Sequence, residues 1–165
     1  FMAGGPGSGK SYVARRTTGG MGMKMVNSDD IYEKMLNDAG LDTTPEDIYS
    51  DQGQEIRGRA KGVTKRMQGN FLEGRLGLII DGTGKDVEKI NRQKKLLDQI
   101  GYETMMIFVN TSLETAQIRN KERARTLPEK SVEQMWNDVQ KNIGGFQSMF
   151  GSKNFIIVRV YIFYI

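Results

Sequence analysis

At 165 residues, with 38% hydrophobic and 27% charged residues, the chain is long enough for one compact domain with its own core and too short for two of ordinary size. It contains no Cys and no His, which excludes disulfides, Cys/His zinc sites, cysteine nucleophiles and any His-based triad or general base, and leaves proton chemistry to Asp, Glu, Lys or Tyr. A net charge of +4 suits an anionic ligand but is too small to imply nucleic-acid binding by itself, and the most apolar run, 155–165, is shorter than a membrane span and is interrupted by Arg159.

The elements alternate along the chain. Phe1-Met2-Ala3 reads as the end of a strand whose first residues are expected to be missing, since a buried strand usually runs about five to six residues. A Gly-rich loop follows, then a helix from Lys10 to Arg16, a loop to Met23 and a short strand over Lys24–Asn27. Residues 30–39 read as a helix stopped by Gly40, with Asp29 or Asp30 expected to cap it. Thr44-Pro45-Glu46-Asp47 is a helix start, and the apolar positions Ile48, Ile56, Ala60, Val63, Met67 and Phe71 predict one helix running to Gly74. Leu76–Ile80 is a buried strand, 87–100 a helix, 102–109 a strand and 112–123 a helix broken before Pro128. Ser131 with Gln134 predicts a capping box for a helix to about residue 140 or on to 150, and 154–158 a last strand. Strands alternating with helices predict an α/β fold: a parallel sheet covered on both faces. One domain over 1–165 is expected, with an anomalous apolar tail at 159–165.

Gly4-Gly5-Pro6-Gly7-Ser8-Gly9-Lys10-Ser11 matches the phosphate-binding pattern G-x-x-x-x-G-K-[ST] in full, and it lies where the pattern must, between a strand end and a helix start. The spacing has a mechanical reason. Glycines let the backbone curl so that successive N–H groups, here of Gly5, Gly7, Ser8 and Gly9, turn toward phosphate oxygens, and the following helix adds the positive end of its dipole. Lys10 is then the residue for the β- and γ-phosphates and Ser11 the hydroxyl for Mg²⁺, so ATP and Mg²⁺ are the expected ligands.

Two classes of P-loop protein compete. A GTPase-like switch would use Asp81-Gly82-Thr83-Gly84, but its guanine-reading Asn-Lys-x-Asp is matched only by Asn120-Lys121-Glu122-Arg123, which lacks the acid and falls in a predicted helix. A kinase needs a base on the acceptor side and a closing lid. Asp29 and Asp30 stand at the C-terminal end of the second strand, where open α/β sheets bind ligands. A carboxylate there can take the proton of an attacking hydroxyl. Arg119 and Arg123 share one helical face before Pro128, and arginines on a mobile lid over 119–130 could neutralise transition-state charge. Asp81 ends the third strand, where an acid supports Mg²⁺ or orients the acceptor, and Thr83 is close enough in sequence to touch the acceptor.

Ala3–Ser11, Val26-Asn27-Ser28-Asp29-Asp30 and Ile79-Ile80-Asp81-Gly82-Thr83, in that order, resemble the P-loop kinases grouped around phage polynucleotide kinase and zeta toxin. The resemblance covers roughly residues 1–150. It implies a three-layer P-loop NTPase fold with a five-stranded parallel sheet in the order 2-3-1-4-5. It also implies an ATP-dependent transfer to a hydroxyl acceptor, with Asp29 as base, Lys10 and Ser11 on ATP–Mg²⁺, and Arg119 and Arg123 in the lid. The chain departs from this family at one point. The relatives usually carry an Arg shortly after the strand-2 Asp, and here Tyr32 takes its place, or Lys34 substitutes one turn on. The acceptor is therefore open between a 5′-hydroxyl nucleic acid, a nucleotide sugar and a nucleoside, with Asp29, Asp30, Tyr32, Asp81 and Thr83 as its candidate contacts. An ATP-binding protein or ATPase without an acceptor, or an inactive kinase remnant, is the alternative. The basic run from Arg57 to Arg66 reads as a solvated helix face, and Trp136, Val139, Ile143 and Phe146 as core. No signal peptide is visible, so a cytoplasmic protein without membrane contact is expected. An antitoxin partner is compatible with the resemblance, but no residue indicates one.

Overall fold

A computed structural model describes residues 1–122 and 126–161. In chain order the elements are β1 (Met2–Ala3), α1 (Lys10–Thr18), β2 (Lys24–Val26), α2 (Ser28–Asp38), α3 (Pro45–Tyr49), α4 (Asp51–Glu73), β3 (Leu78–Ile80), α5 (Val87–Gln99), β4 (Met106–Asn110), α6 (Leu113–Lys121), α7 (Glu129–Lys141), α8 (Ile143–Phe150) and β5 (Phe155–Arg159). They form two compact units. Of the described residues, the first comprises 1–19, 81–122 and 126–161, and the second comprises 20–80.

In the first unit β1, β4 and β5 are parallel neighbours in that order, with Met2 opposite Ile107 and Phe108 opposite Ile157. The strands are apolar on both faces, as a sheet covered by helices requires. The core gathers Ala3, Met106, Phe108, Val139, Phe146, Phe150 and Phe155. Phe108 stands 6.5 Å from Phe146 and 6.4 Å from Phe155, ring centre to ring centre, in tilted pairs. In the second unit β2 and β3 pair in parallel, Met25 opposite Ile79, and α2 and α4 bury Tyr32, Leu36, Ile48, Ile56 and Ala60 between them and α3.

These pairings are the 2-3 and 1-4-5 neighbours of the expected order. Asp81, directly after β3, makes a single parallel bridge to Met2, supported by the Gly82 N–H donating to Met2 O (3.1 Å) and the Gly4 N–H donating to Thr83 O (3.2 Å).

Three boundaries differ from the sequence reading, each for a local reason. The cap of α2 is Asn27, not Asp29 or Asp30, and its side chain accepts from the Asp29 N–H at 2.9 Å. The helix expected over 44–74 breaks at Ser50, which is extended (φ −64°, ψ 157°) and re-caps α4 by accepting from the Gly53 N–H at 3.0 Å. Gly53 tolerates the break because any Cβ there would overlap the Asp47 carbonyl oxygen. Farther on, α7 begins at Glu129 behind Pro128, so the Ser131 box does not form; the helix ends at Lys141, the nearer of its two expected ends, and a separate helix follows Asn142 to Phe150. The Asn142 amide donates instead to Gly84 O (2.8 Å) and Lys85 O (3.0 Å). The apolar tail continues the sheet for one residue, with the Val160 N–H donating to Asn110 O at 2.9 Å, and residues 162–165 lie outside the described residues. Among the described residues no helix is long and apolar enough to cross a membrane.

Candidate functional site

The phosphate-binding pattern leaves the buried end of β1 and turns directly into α1. Gly7 has φ 71°, and a Cβ there would stand 2.5 Å from the carbonyl oxygen of Ala116, so α6 packs against bare backbone. Gly9 (φ 94°) caps α1 with no side chain of its own. The first N–H groups of α1 therefore have neither an intrahelical partner nor a capping side chain, the condition for anion binding at a helix start. Inside the loop the Ser8 N–H donates to Gly5 O (3.2 Å). Ser8 is 2% exposed, and its hydroxyl has no hydrogen-bond partner among the described residues.

Lys10 curls back over its own loop, its Nζ donating to Gly4 O at 2.8 Å and Gly5 O at 3.4 Å. Arg119 reaches the same loop from α6. Its Nη1 donates to Gly7 O (3.3 Å) and Ser8 O (3.5 Å), and its Nη2 to Tyr161 O (3.5 Å). Two cations thus stand on the carbonyl side of the loop, placed to compensate phosphate charge. Beside them lies a cavity of about 570 Å³ lined by Gly9, Tyr12, Val13, Arg119 and residues 158–161, large and apolar enough to take a planar heterocycle. Tyr12 was not singled out in the sequence, and residues 159–161 stood out there only as part of an anomalous apolar tail; the two line the same cavity. Arg123 lies outside the described residues.

Ser11 is exposed at the start of α1 and Asp81 is half-buried beyond β3. Both are hard oxygen donors of the kind Mg²⁺ accepts. No cluster of three or more acidic side chains exists among the described residues to hold a metal alone. The donor set therefore fits a Mg²⁺ that takes most of its ligands from phosphate and water. Thr83 is exposed; its carbonyl takes the Gly4 N–H and its hydroxyl accepts from the Lys85 N–H at 3.4 Å.

The second unit carries the other candidates. Asp29 opens α2 with an exposed carboxylate, and Asp30 accepts from the Asn27 amide at 3.1 Å. Burial, and then the neighbouring Asp29 charge, hold the Asp30 carboxyl above the usual range. Tyr32 is 1% exposed: its ring belongs to the core, and only its hydroxyl, which has no hydrogen-bond partner, is left for any ligand. Over that ring lies the Arg57 guanidinium, 5.1 Å from the centroid, with Nη2 3.8 Å from Asp29 Oδ1. Arg57 belongs to the basic run read as solvated, and no local signal distinguishes it from Arg59 or Lys61. Asn120, the nearest match to a guanine-reading Asn, is 1% exposed and fully engaged, donating to Leu127 O (2.7 Å) and accepting from the Leu127 N–H (3.0 Å). Trp136 is half-buried and donates its indole N–H to Thr111 O at 2.9 Å, which fixes α7 on the end of β4.

A family model described as AAA domain (AAA_33) matches residues 1–142. No sequence among the curated proteins matches the chain. Among solved structures, the chain is similar to AvrRxo1-ORF1 in its complex with AvrRxo1-ORF2 and ATP, with TM-score 0.72 and 15% identity over 97% of this chain and 53% of that one. It is similar to a structure of the PezAT chromosomal toxin–antitoxin system of Streptococcus pneumoniae, with TM-score 0.71 and 16% identity over 96% of this chain and 66% of that one. A gluconokinase from Sinorhizobium meliloti 1021 gives TM-score 0.55 and 15% identity over 98% of this chain and 81% of that one. The chain spans about half the length of the AvrRxo1-ORF1 chain it matches. At these identities the likeness is one of fold, and the fold is P-loop kinase-like.

Proposed function

The chain belongs to the AAA domain family and has a P-loop kinase-like fold, and from that premise we propose that it is a phosphotransferase moving the γ-phosphate of ATP to a hydroxyl acceptor. The observation that carries the reading is the loop itself: a complete G-x-x-x-x-G-K-S turn at the head of an uncapped helix, with Lys10 and Arg119 standing on its carbonyls and a heterocycle-sized cavity beside it. Arg119 on the loop favours transfer over simple nucleotide storage, because a guanidinium there serves charge that develops on the phosphoryl group.

In this reading the acceptor oxygen attacks the γ-phosphorus in line, the bond from that phosphorus to the β–γ bridging oxygen breaks, and ADP leaves. Asp29 accepts the proton of the attacking hydroxyl, Lys10 swings from the Gly4 carbonyl to the β- and γ-phosphates, and Arg119 steadies the transferred group. Ser11, with Asp81 as a second candidate oxygen donor, would hold Mg²⁺, which would supply positive charge to the phosphates. Thr83 and Asp30 remain candidate contacts for the acceptor. Acceptors of three kinds fit this chemistry: a 5′-hydroxyl nucleic acid, a nucleotide sugar or a nucleoside.

The test is transfer of labelled γ-phosphate from ATP–Mg²⁺ to a panel of those acceptors by the parent chain, Lys10→Ala and Asp29→Ala. Label on one acceptor is expected, lost in both variants, with Asp29→Ala keeping ATP binding and losing about 10²–10⁴ in rate. Label transfer unaffected by Asp29→Ala refutes the assignment of the base. ATP binding without transfer to any acceptor favours an ATP-binding protein or ATPase.

A further inference from the structure

We propose that Asn120 is a positioning residue for the phosphate-binding loop: by clasping Leu127 it fixes the last turn of α6, and through that turn it holds the Arg119 guanidinium on the loop carbonyls. This rests on the reading of Arg119 as a group that serves the phosphates, and it deepens that reading by naming what sets the guanidinium in place.

Arg119, Asn120 and Lys121 close α6, a helix of nine residues. A helix that short does not hold its shape alone, and its final turn, where carbonyls run out of intrahelical partners, is the part most ready to fray. Arg119 is too weakly bonded to prevent this. Its contacts with Gly7 O (3.3 Å) and Ser8 O (3.5 Å) are at the long end of hydrogen bonding. The middle of α6 is held by packing, since the buried Ala116 lies against the bare backbone of Gly7. The end is held by Asn120. Its carboxamide is buried and spends both functions on one residue, Nδ2 donating to Leu127 O at 2.7 Å and Oδ1 accepting from the Leu127 N–H at 3.0 Å. At neutral pH only a carboxamide offers a donor and an acceptor side by side on separate atoms in this way.

Leu127 is in turn anchored. It leads into Pro128 and α7, whose Val132 and Val139 are buried and whose Trp136 indole N–H donates to Thr111 O at 2.9 Å. The Lys121–Glu129 ion pair (2.7 Å) spans the same two helices, but both partners are exposed and the pair adds little. Successive helical residues point about 100° apart, so one turn can present Asn120 to Leu127 and Arg119 to the loop. The core is thereby connected through α7, Leu127 and Asn120 to a cation standing on the loop.

The experiment is a double-mutant cycle on the full chain: the parent, Asn120→Ala, Arg119→Gln and the double variant, each at a temperature where circular dichroism shows it folded. Transfer of labelled γ-phosphate and ATP–Mg²⁺ affinity by isothermal titration are read beside urea unfolding. In the parent background Asn120→Ala should lower kcat or weaken ATP–Mg²⁺ binding about 10- to 100-fold. Where Arg119 is already Gln the same change should cost less than about twofold, while its loss in urea midpoint is the same in both backgrounds. A merely structural Asn120 would show the stability loss with kcat and affinity unchanged, or equal functional losses in both backgrounds. Either result overturns the inference, as does an Arg119→Gln variant indistinguishable from the parent. Asn120→Asp covers the case in which Asn120→Ala does not fold. Its carboxyl, once protonated, can again donate and accept, so its functional deficit relative to the parent should shrink as pH falls from about 8 to about 5. A deficit constant over that range also overturns the inference. If no acceptor is phosphorylated, the cycle in ATP affinity still decides the role of Asn120, so this inference and the kinase reading fail separately.

Discussion

Removing the Asn120 side chain should cost more stability than any surface substitution in the chain. Asn120 closes a two-bond pair with the main chain of Leu127, donating at 2.7 Å and accepting at 3.0 Å, from a position 1% exposed at the end of α6. Each bond contributes about 1 kcal/mol net, and Leu127 is left with a donor and an acceptor only partly reachable by water, so Asn120→Ala should cost about 2–4 kcal/mol. For a chain of this length that is a fall in Tm of about 5–12 °C. Asn120→Asp is the sharper probe. An ionised carboxylate still accepts from the Leu127 N–H but faces the Leu127 carbonyl oxygen with no proton to give. At neutral pH Asn120→Asp should therefore destabilise at least as much as Asn120→Ala. Its folded-state pKa is raised, because the native site favours the protonated form. The deficit is then fully present above the folded-state value and shrinks as pH falls through that value to the unfolded one, about 3.9. Urea unfolding of the three proteins across pH 4 to 8 measures this. A loss below about 0.5 kcal/mol for Asn120→Ala, or an Asn120→Asp deficit that does not shrink on acidification, refutes the reasoning.

Tyr32→Phe removes a buried hydroxyl without a hydrogen-bond partner while keeping the ring and its Arg57 contact, so stability should hold or rise by up to about 1 kcal/mol in the same urea assay. Asp30 has a raised carboxyl pKa, so its ionisation works against the fold at neutral pH. Asp30→Asn should then be the more stable protein at pH 7, with the advantage fading as pH falls through the raised value and the wild-type carboxyl takes up its proton, as melts at pH 7 and about 3.5 would report. Gly7→Ala must accommodate a left-handed residue, at about 1–2 kcal/mol, and a Cβ 2.5 Å from the Ala116 carbonyl. The loop should shift and ATP affinity fall at least about tenfold, read by titration with ATP–Mg²⁺, while circular dichroism stays unchanged.

The sequence alone was enough for whatever depends on neighbours within a few residues. The G-x-x-x-x-G-K-S turn at the junction of β1 and α1 and the Thr44-Pro45 start of α3 were both legible, because a cap or a phosphate-binding turn is a short-range pattern of glycines, hydroxyls and N–H groups. The parallel α/β class was legible for the same reason, from short apolar runs alternating with amphipathic ones. Where two local signals competed, tertiary packing chose between them: Asn27 rather than Asp29 caps α2, and the helix breaks at Ser50 so that α3 can bring Ile48 into the same core as Ile56. Other features had no local signal. Arg57 looks like any lysine or arginine of its run until α2 and α4 pack and set it on Tyr32 beside Asp29. Asn120 looks like part of a failed guanine motif until Leu127 comes back to meet it. The Arg57 contacts join residues far apart in the chain and the Asn120 pair spans seven residues across a helix end, and in both the partners are selected by the shape of the folded surfaces rather than by spacing. Patterning can therefore single out Lys10 in its loop, but only the fold can say which of several equivalent arginines stands next to Asp29.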